Sequence, residues 1–297
     1  MRKIEYKVSE EYNGAPLYYF LRECVGVSTR IIQTLRHTPK SVFVNGSESR
    51  VVDKVKTGDE IIIYLPEKTE APQLWETELS VIYEDVDLLI INKPSGVSVH
   101  PTRNHPNGTL CNAVAAYLKK QGNENFVPRA VGRLDKVTSG VMVFAKNAFV
   151  ASKLNGNLDK TYLALAEGIL EGEGTVNAPI YRPDLNKTIR AVGEQGDEAI
   201  TNWKALKSFD YKTLLEVRTV TGRTHQIRVH CAHIGHALVG DEMYGAKATD
   251  NIKRAALHCY QVKIIHPITK EEKTFIAGLP EDFKKEMTGE LQGDFYA

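Results

Sequence analysis

Sixteen residues, GRLDKVTSGVMVFAKN at 132–147, frame the rest of the chain. The apolar run from Val141 to Ala145 reads as a buried strand, and Thr138, Ser139 and Gly140 before it read as a tight loop. A loop mounted on a buried strand holds a reactive side chain rigidly. This loop carries one carboxylate, Asp135, between Arg133 and Lys136. An ordinary loop aspartate in a surface ion pair has the same local signature, so a chemical role needs support from elsewhere in the chain.

Net charge is only +1 over 297 residues, which gives no reason to expect a polyanionic partner. Its distribution does. Residues 100–160 hold nine Lys or Arg (103, 119, 120, 129, 133, 136, 146, 153 and 160) against three acids (124, 135 and 159). A basic field around Asp135 would draw nucleic acid, whose affinity comes largely from phosphate contacts. A solvated face balanced in three dimensions is the alternative.

The length suits about two domains. The amino-terminal residues lack the apolar core of a signal peptide, and no apolar run approaches the ~20 residues needed to span a bilayer. Four widely spaced cysteines, Cys24, Cys111, Cys231 and Cys259, form no CxxC pair and read as reduced, small buried residues. These features point to a cytoplasmic protein outside the membrane. No GxxxxGK[ST], GxGxxG or HExxH is present, so phosphate-loop, dinucleotide and zincin readings have no support.

Residues 1–66 read as a small α/β module. Leu17, Phe20, Leu21 and Val25 keep helical spacing up to Gly26. Ser28 can cap a second helix carrying Ile31, Ile32 and Leu35, with Arg30, Arg36 and Lys40 largely off that face. VFVNG (42–46) and DEIIIYL (59–65) are strand signals. A helix pair with a basic face plus a hairpin suits a nucleic-acid binder; a small cap with solvated basic residues fits equally well. Residues 67–78 are polar and aperiodic and read as a linker.

Beyond it, residues 79–93 give two strands ending before Pro94, and 109–120 a helix capped by Thr109. Runs at 158–168, 200–206 and 213–220 read as strands, and 254–283 as a strand pair turning near 269–272. The tail is placed at 286–297. In the second loaded stretch, 217–245, Thr224 is expected to cap a helix starting at His225, with Gly235 at its end. Ile227, Cys231 and Ile234 share its apolar face. Arg228 lies beside that face, and a partly buried guanidinium needs an anion; Asp135 is the anion this reading supplies. His225, His230, Cys231, His233 and His236 cluster here, but without further ligands the spacing falls short of a zinc site, and no metal is expected.

These stretches resemble known families. LYYFLRECVGVSTRIIQTLRHTPKSVFVNG followed by VKTGDEIIIYL resembles the alpha-L RNA-binding module of a small-subunit ribosomal protein. NKPSGVSVHP, GRLDKVTSGVMVFAK, DKTYLALAEG, GDEAITNWKAL, TGRTHQIRVHCAHIGHALVGDEMYG and LHCYQVKIIHPIT follow the order and spacing of the RluA/RluD family of RNA pseudouridine synthases. The resemblance implies an α+β catalytic domain over 79–285, built on a long mixed, mainly antiparallel sheet with a basic cleft. It implies isomerisation of uridine in structured RNA by a monomer without cofactor. Ribosomal RNA of the large subunit is the expected partner, with transfer RNA or a non-catalytic assembly role as alternatives.

Asp135 would be the catalytic carboxylate, and Arg228 would keep it ionised. Tyr162 would stack on the base and help remove its C5 proton. Arg133 would hold the flipped nucleotide, with Arg223, His225, Arg30, Arg36 and Lys40 as further RNA contacts. A glycosidic or phosphodiester hydrolase fits less well, since such enzymes commonly use two carboxylates or a metal. One departure stands out: Gly132 occupies the place where the family usually has His.

Overall fold

The structure is a computed structural model that describes residues 2–65, 72–102, 106–122 and 127–287. The amino-terminal region contains β1 (Arg2–Lys7), α1 (Leu17–Glu23), α2 (Thr29–Arg36), β2 (Val42–Val44), β3 (Ser47–Glu48) and β4 (Glu60–Leu65). Its four strands form a sheet in the order β1-β4-β2-β3. The expected helix pair is present. Gly26 ends the first helix at φ +72, and the Ser28 hydroxyl accepts from the Ile31 amide. β1 was not expected: only Ile4 is buried along it, too sparse a pattern to announce a strand. It exists because β4 offers it a full antiparallel register, Arg2 to Lys7 against Leu65 to Glu60.

The larger region contains β5 (Val81–Glu84), β6 (Leu88–Lys93), α3 (Leu110–Lys120), β7 (Arg129–Val131), β8 (Ser139–Ala145), α4 (Ala148–Leu154) and β9 (Asp159–Glu167). Then come β10 (Glu173–Asn177), β11 (Ile180–Tyr181), β12 (Ala191–Val192), β13 (Ile200–Phe209), β14 (Lys212–Thr219), α5 (Gln226–His233), β15 (Leu257–Ile265), β16 (Glu272–Ile276) and α6 (Glu281–Met287). Ten strands share one sheet, whose main path is β10-β13-β14-β9-β15-β8-β6-β5. The single parallel pairing on it is β15 with β8, so the sheet is mixed and mainly antiparallel, as expected. At that junction the two backbones press together at Gly140. A Cβ there would lie 2.6 Å from the Cys259 nitrogen, and φ is +114, so only glycine fits. β8 is buried at every position.

The two regions are in contact. Arg2 grips Asp87 with two hydrogen bonds of 2.9 Å, Nε to Oδ1 and Nη2 to Oδ2. The Asp87 side chain is nearly inaccessible and also accepts from Asn147 Nδ2. A Cβ at Gly26 would collide with the Lys153 ammonium of α4, and the apolar core continues from one region into the other.

The expected linker straddles the described boundary, since 66–71 lie outside the described residues. Its remainder, 72–78, is fastened to α3: Asn112 donates to the Gln73 carbonyl at 2.6 Å and accepts from the Trp75 amide through its own carbonyl. Polarity made this stretch look free; backbone hydrogen bonds hold it. The tail expected from 286 also begins too early. Glu286 and Met287 are buried on α6, where Glu286 accepts from Lys212 Nζ at 2.6 Å and Thr249 Oγ1 at 2.7 Å.

Candidate active site

Strands β7 and β8 form a hairpin, and its connection, residues 132–138, carries Asp135. The turn closes through the Thr138 amide onto the Asp135 carbonyl at 3.1 Å. Beneath it lies a residue the sequence reading passed over, Lys93, at the end of β6. Its side chain is fully buried. The ammonium donates to the carbonyls of Pro94 (2.9 Å), Lys136 (3.2 Å) and Thr138 (2.7 Å). Burial pushes its pKa down to about 7, with Arg254 acting in the same direction and Asp135 opposing. Lys93 thus straps the Asp135 loop to the strand below. A buried lysine is rare enough that sequence alone suggests a surface residue.

Asp135 faces a pocket of about 280 Å3 that also receives Arg133, Tyr162, Arg223 and His225. The structure therefore brings five of the expected residues together. Among the described residues, Asp135 is the only carboxylate on the pocket wall, and Arg133, Lys160 and Arg223 are the lysine and arginine side chains there. Arg30, Arg36 and Lys40 lie elsewhere, exposed on the amino-terminal region. The basic stretch of 100–160 is thinner in space than in sequence. Lys146 is spent on Glu84 at 2.6 Å and Lys120 on Glu76 at 3.0 Å, while Arg103 and Glu124 lie outside the described residues.

Arg228 differs most from expectation. It is buried on α5, and its fork closes on Asp241: Nε to Oδ2 and Nη2 to Oδ1, both 2.6 Å. The remaining nitrogen, Nη1, is 4.0 Å from Asp135 Oδ2. Burial, the largest single influence, disfavours its charge, but the Asp241 hydrogen bonds together with the negative charges of Asp241 and Asp135 raise its pKa on balance. The guanidinium also lies over the Tyr244 ring at 5.0 Å. Asp241, absent from the expected set, is thus the main anion, and Asp135 is a neighbour. A signal existed, since Asp241 stands in the same loaded stretch, thirteen positions on.

The start of α5 also departs from expectation. Its N-cap is His225 in the left-handed region, φ 59, without a side-chain capping bond. Thr224 instead accepts from Arg133 Nη1 at 3.1 Å, and the second Arg133 terminal nitrogen is 3.9 Å from Asp135 Oδ1. Backbone strain of this kind often marks a functional position. Gln226, another residue missed, accepts from Thr221 and the Arg223 amide and donates to Ile200 O and Thr201 Oγ1. It thereby fixes the 221–223 turn on the pocket rim. The other end of α5 closes as expected at Gly235, with the His236 amide on Cys231 O and the Gly235 amide on Ala232 O.

His225 Nδ1 lies 2.8 Å from the Tyr244 hydroxyl. Burial pulls its pKa down to about 4 against the pull of Asp135. It is therefore a neutral hydrogen-bonding group, not a phosphate-binding cation. Burial, then Cys259 and Asp135, raise the Tyr162 hydroxyl well above its usual value, so the phenol keeps its proton. His230 is buried with both ring nitrogens engaged, at Thr201 Oγ1 and Ala178 O. Of the four cysteines, Cys24 is exposed rather than buried.

Among the described residues, no group of three or more His, Cys, Asp or Glu could hold a metal ion, and no helix is long and apolar enough to cross a membrane.

Comparison with known proteins places these residues in context. The family model for RNA pseudouridylate synthases matches residues 87–233. An uncharacterised RNA pseudouridine synthase of Bacillus subtilis, YhcT, is 37% identical over 95% of this chain and 96% of its own. Ribosomal large subunit pseudouridine synthase D of Haemophilus influenzae is 38% identical over 82% of this chain and 80% of its own. In three dimensions, the human protein RNA pseudouridylate synthase domain containing 1 superposes with a TM-score of 0.54 at 28% identity, covering 68% of this chain and 84% of that one.

Proposed function

Because the chain belongs to the RNA pseudouridine synthase family, we propose that it isomerises specific uridines of structured RNA, above all of the large ribosomal subunit, with Asp135 as the catalytic carboxylate. The observation that carries the assignment is that Asp135 is, among the described residues, the only carboxylate on the wall of the pocket, which it shares with buried Tyr162, and lies 4.0 Å from buried Arg228. The RNA class is supported by the name of the Haemophilus relative, which acts on the large subunit.

In the reaction the N1–C1′ bond of uridine breaks, the uracil turns, and C5 bonds to C1′. C5 gives up its proton and N1 ends protonated, so atoms balance without redox change. Asp135 serves as nucleophile or base against the ribose; either role needs one ionised carboxylate. Arg228 Nη1 lies 4.0 Å from that carboxylate. Tyr162 offers its ring to the flipped base; its protonated hydroxyl suits it to stacking rather than to taking the C5 proton. Arg133, tethered to Thr224, stands at the mouth and helps hold the nucleotide out of its stack, which costs a few kcal/mol. Arg133, Lys160 and Arg223 make the cleft basic toward phosphate.

The test is tritium release from C5-labelled uridine in total cellular RNA, with pseudouridine mapped in cells with and without the gene. Release without base loss, at sites missing from the deletion strain, supports the function. Base loss, or an unchanged map, sinks it.

A further inference from the structure

Tyr244 stands behind the pocket wall and is engaged on three sides. Its ring covers the Arg228 guanidinium at 5.0 Å. Its hydroxyl oxygen accepts from the Arg190 amide, at the entry to β12, at 3.0 Å, and lies 2.8 Å from His225 Nδ1. The His225 and Tyr244 rings meet edge to face, with centroids 5.8 Å apart and planes at 87°.

This chain of contacts has a direction. A backbone amide can only donate, so the Arg190 N–H takes the phenol oxygen as its acceptor. Burial raises the Tyr244 pKa, so the phenol keeps its own hydrogen, and His225 Nδ1 is the acceptor beside it. His225 is neutral, its pKa drawn down to about 4 chiefly by burial. A neutral imidazole that accepts at Nδ1 carries its hydrogen on Nε2. The tautomer is thus set from the backbone outward. His225 makes no side-chain capping bond to α5 in spite of its left-handed φ of 59. It lines the Asp135 pocket, and Tyr244 does not.

We propose that His225 presents a fixed Nε2–H donor to a carbonyl of the flipped uracil, with Tyr244 as the positioning residue that keeps the hydrogen on that nitrogen. This rests on the reading of the Asp135 pocket as the uridine site. When the N1–C1′ bond breaks, its electron pair passes to the uracil and spreads over N1, O2 and O4. A neutral donor bonds more strongly as that charge grows, and it gives up no proton.

The test uses the full chain labelled with nitrogen-15 in the histidine rings. Long-range proton–nitrogen spectra near neutral pH, with the His225 signals identified from His225→Gln, should show the hydrogen on Nε2. Tyr244→Phe should shift it toward the mixed tautomers of a free imidazole. On an RNA transcript carrying a uridine mapped as converted, His225→Phe should lower kcat about tenfold to a hundredfold with KM little changed. His225→Gln, which keeps an N–H donor, should recover part of the loss, and Tyr244→Phe should cost about threefold to tenfold. Sulfur in place of O2 or O4 of that uracil should slow the wild type at the carbonyl that His225 contacts, and should leave His225→Phe no slower.

A hydrogen on Nδ1 overturns the proposal. So does a folded His225→Phe protein with wild-type kcat, or a wild type indifferent to sulfur at both carbonyls. Should His225→Phe fail to fold, the wild-type spectrum, His225→Gln and the sulfur substitutions decide. If no uridine is converted, the proposed function fails and takes the uracil contact with it, while the spectra still decide whether Tyr244 sets the tautomer.

Discussion

Arg228 is held by Asp241 through two 2.6 Å hydrogen bonds, and this leaves one guanidinium nitrogen 4.0 Å from Asp135. The fork is spent on the buried partner, so the orientation of the third nitrogen toward Asp135 is fixed before any substrate arrives. Asp241→Asn should therefore act at a distance. It removes the charge that compensates a buried cation, at about 3–5 kcal/mol. Urea denaturation should show the loss, and turnover should fall at urea-free temperatures where the variant is still folded. Arg228→Lys should not rescue, because an ammonium cannot reproduce the fork. Wild-type stability in either variant would contradict the pairing.

Asp135→Asn keeps the shape of the pocket and removes the charge. Pseudouridine formation should drop by at least about 10^3-fold, while RNA affinity, measured by filter binding, changes little because phosphate contacts lie with the arginines. Retained turnover would remove Asp135 from the mechanism.

Gly132 has φ +72, and a Cβ there would lie 3.1 Å from Lys160 Nζ. If the site merely tolerated the family's usual histidine, restoring it would leave activity unchanged; the backbone argues otherwise. Gly132→His should cost about 1–2 kcal/mol through the left-handed conformation and crowd Lys160, lowering both melting temperature and kcat/KM. Crystallography of the variant would show whether the loop has flipped to negative φ.

Acid should weaken the fold before carboxylates titrate. His225 and His258 are each pushed down to about 4 by burial, below the 6.5 of an unfolded histidine. The unfolded chain therefore takes up protons first, and the stability present above pH 6.5 is lost as pH falls toward 4. Melting temperatures at pH 7, 5.5 and 4.5 should decline in order, and His258→Gln should flatten the decline.

A fragment beginning at Leu79 would strip Arg2 from Asp87 and release Asn112 from Gln73 and Trp75. It should be less stable than the whole chain by about 1–3 kcal/mol, less than for a fully buried pair because Arg2 is partly exposed. Asp87→Asn in the fragment should restore part of the loss, since no charge is then left buried. Differential scanning calorimetry of both fragments decides.

What the sequence disclosed was local. β8 and its preceding turn are visible because Val141 to Ala145 is continuously apolar and Gly140 can occupy a conformation that a side chain forbids. α5 is visible at its glycine end, where Gly235 closes it, and less so at its start, where Thr224 is drawn to Arg133. The partners across space were hidden. Asp241 reaches Arg228 from a loop thirteen residues on, and no periodicity relates them. Lys93 carries the composition of a surface residue and sits in the core because three carbonyls converge on it. β1 has one buried side chain and owes its existence to β4.

The bond between Arg2 and Asp87 joins positions 85 apart in the chain. During synthesis, the first strand leaves the ribosome with neither β4 nor its anchor yet made. It must wait unpaired until β4 has been made, and Arg2 must wait longer, until Asp87 has followed; such long-range closure slows folding. The same geometry gives position 2 a reach beyond its own strand: a change at Arg2 acts at the joint between the small sheet and the large one.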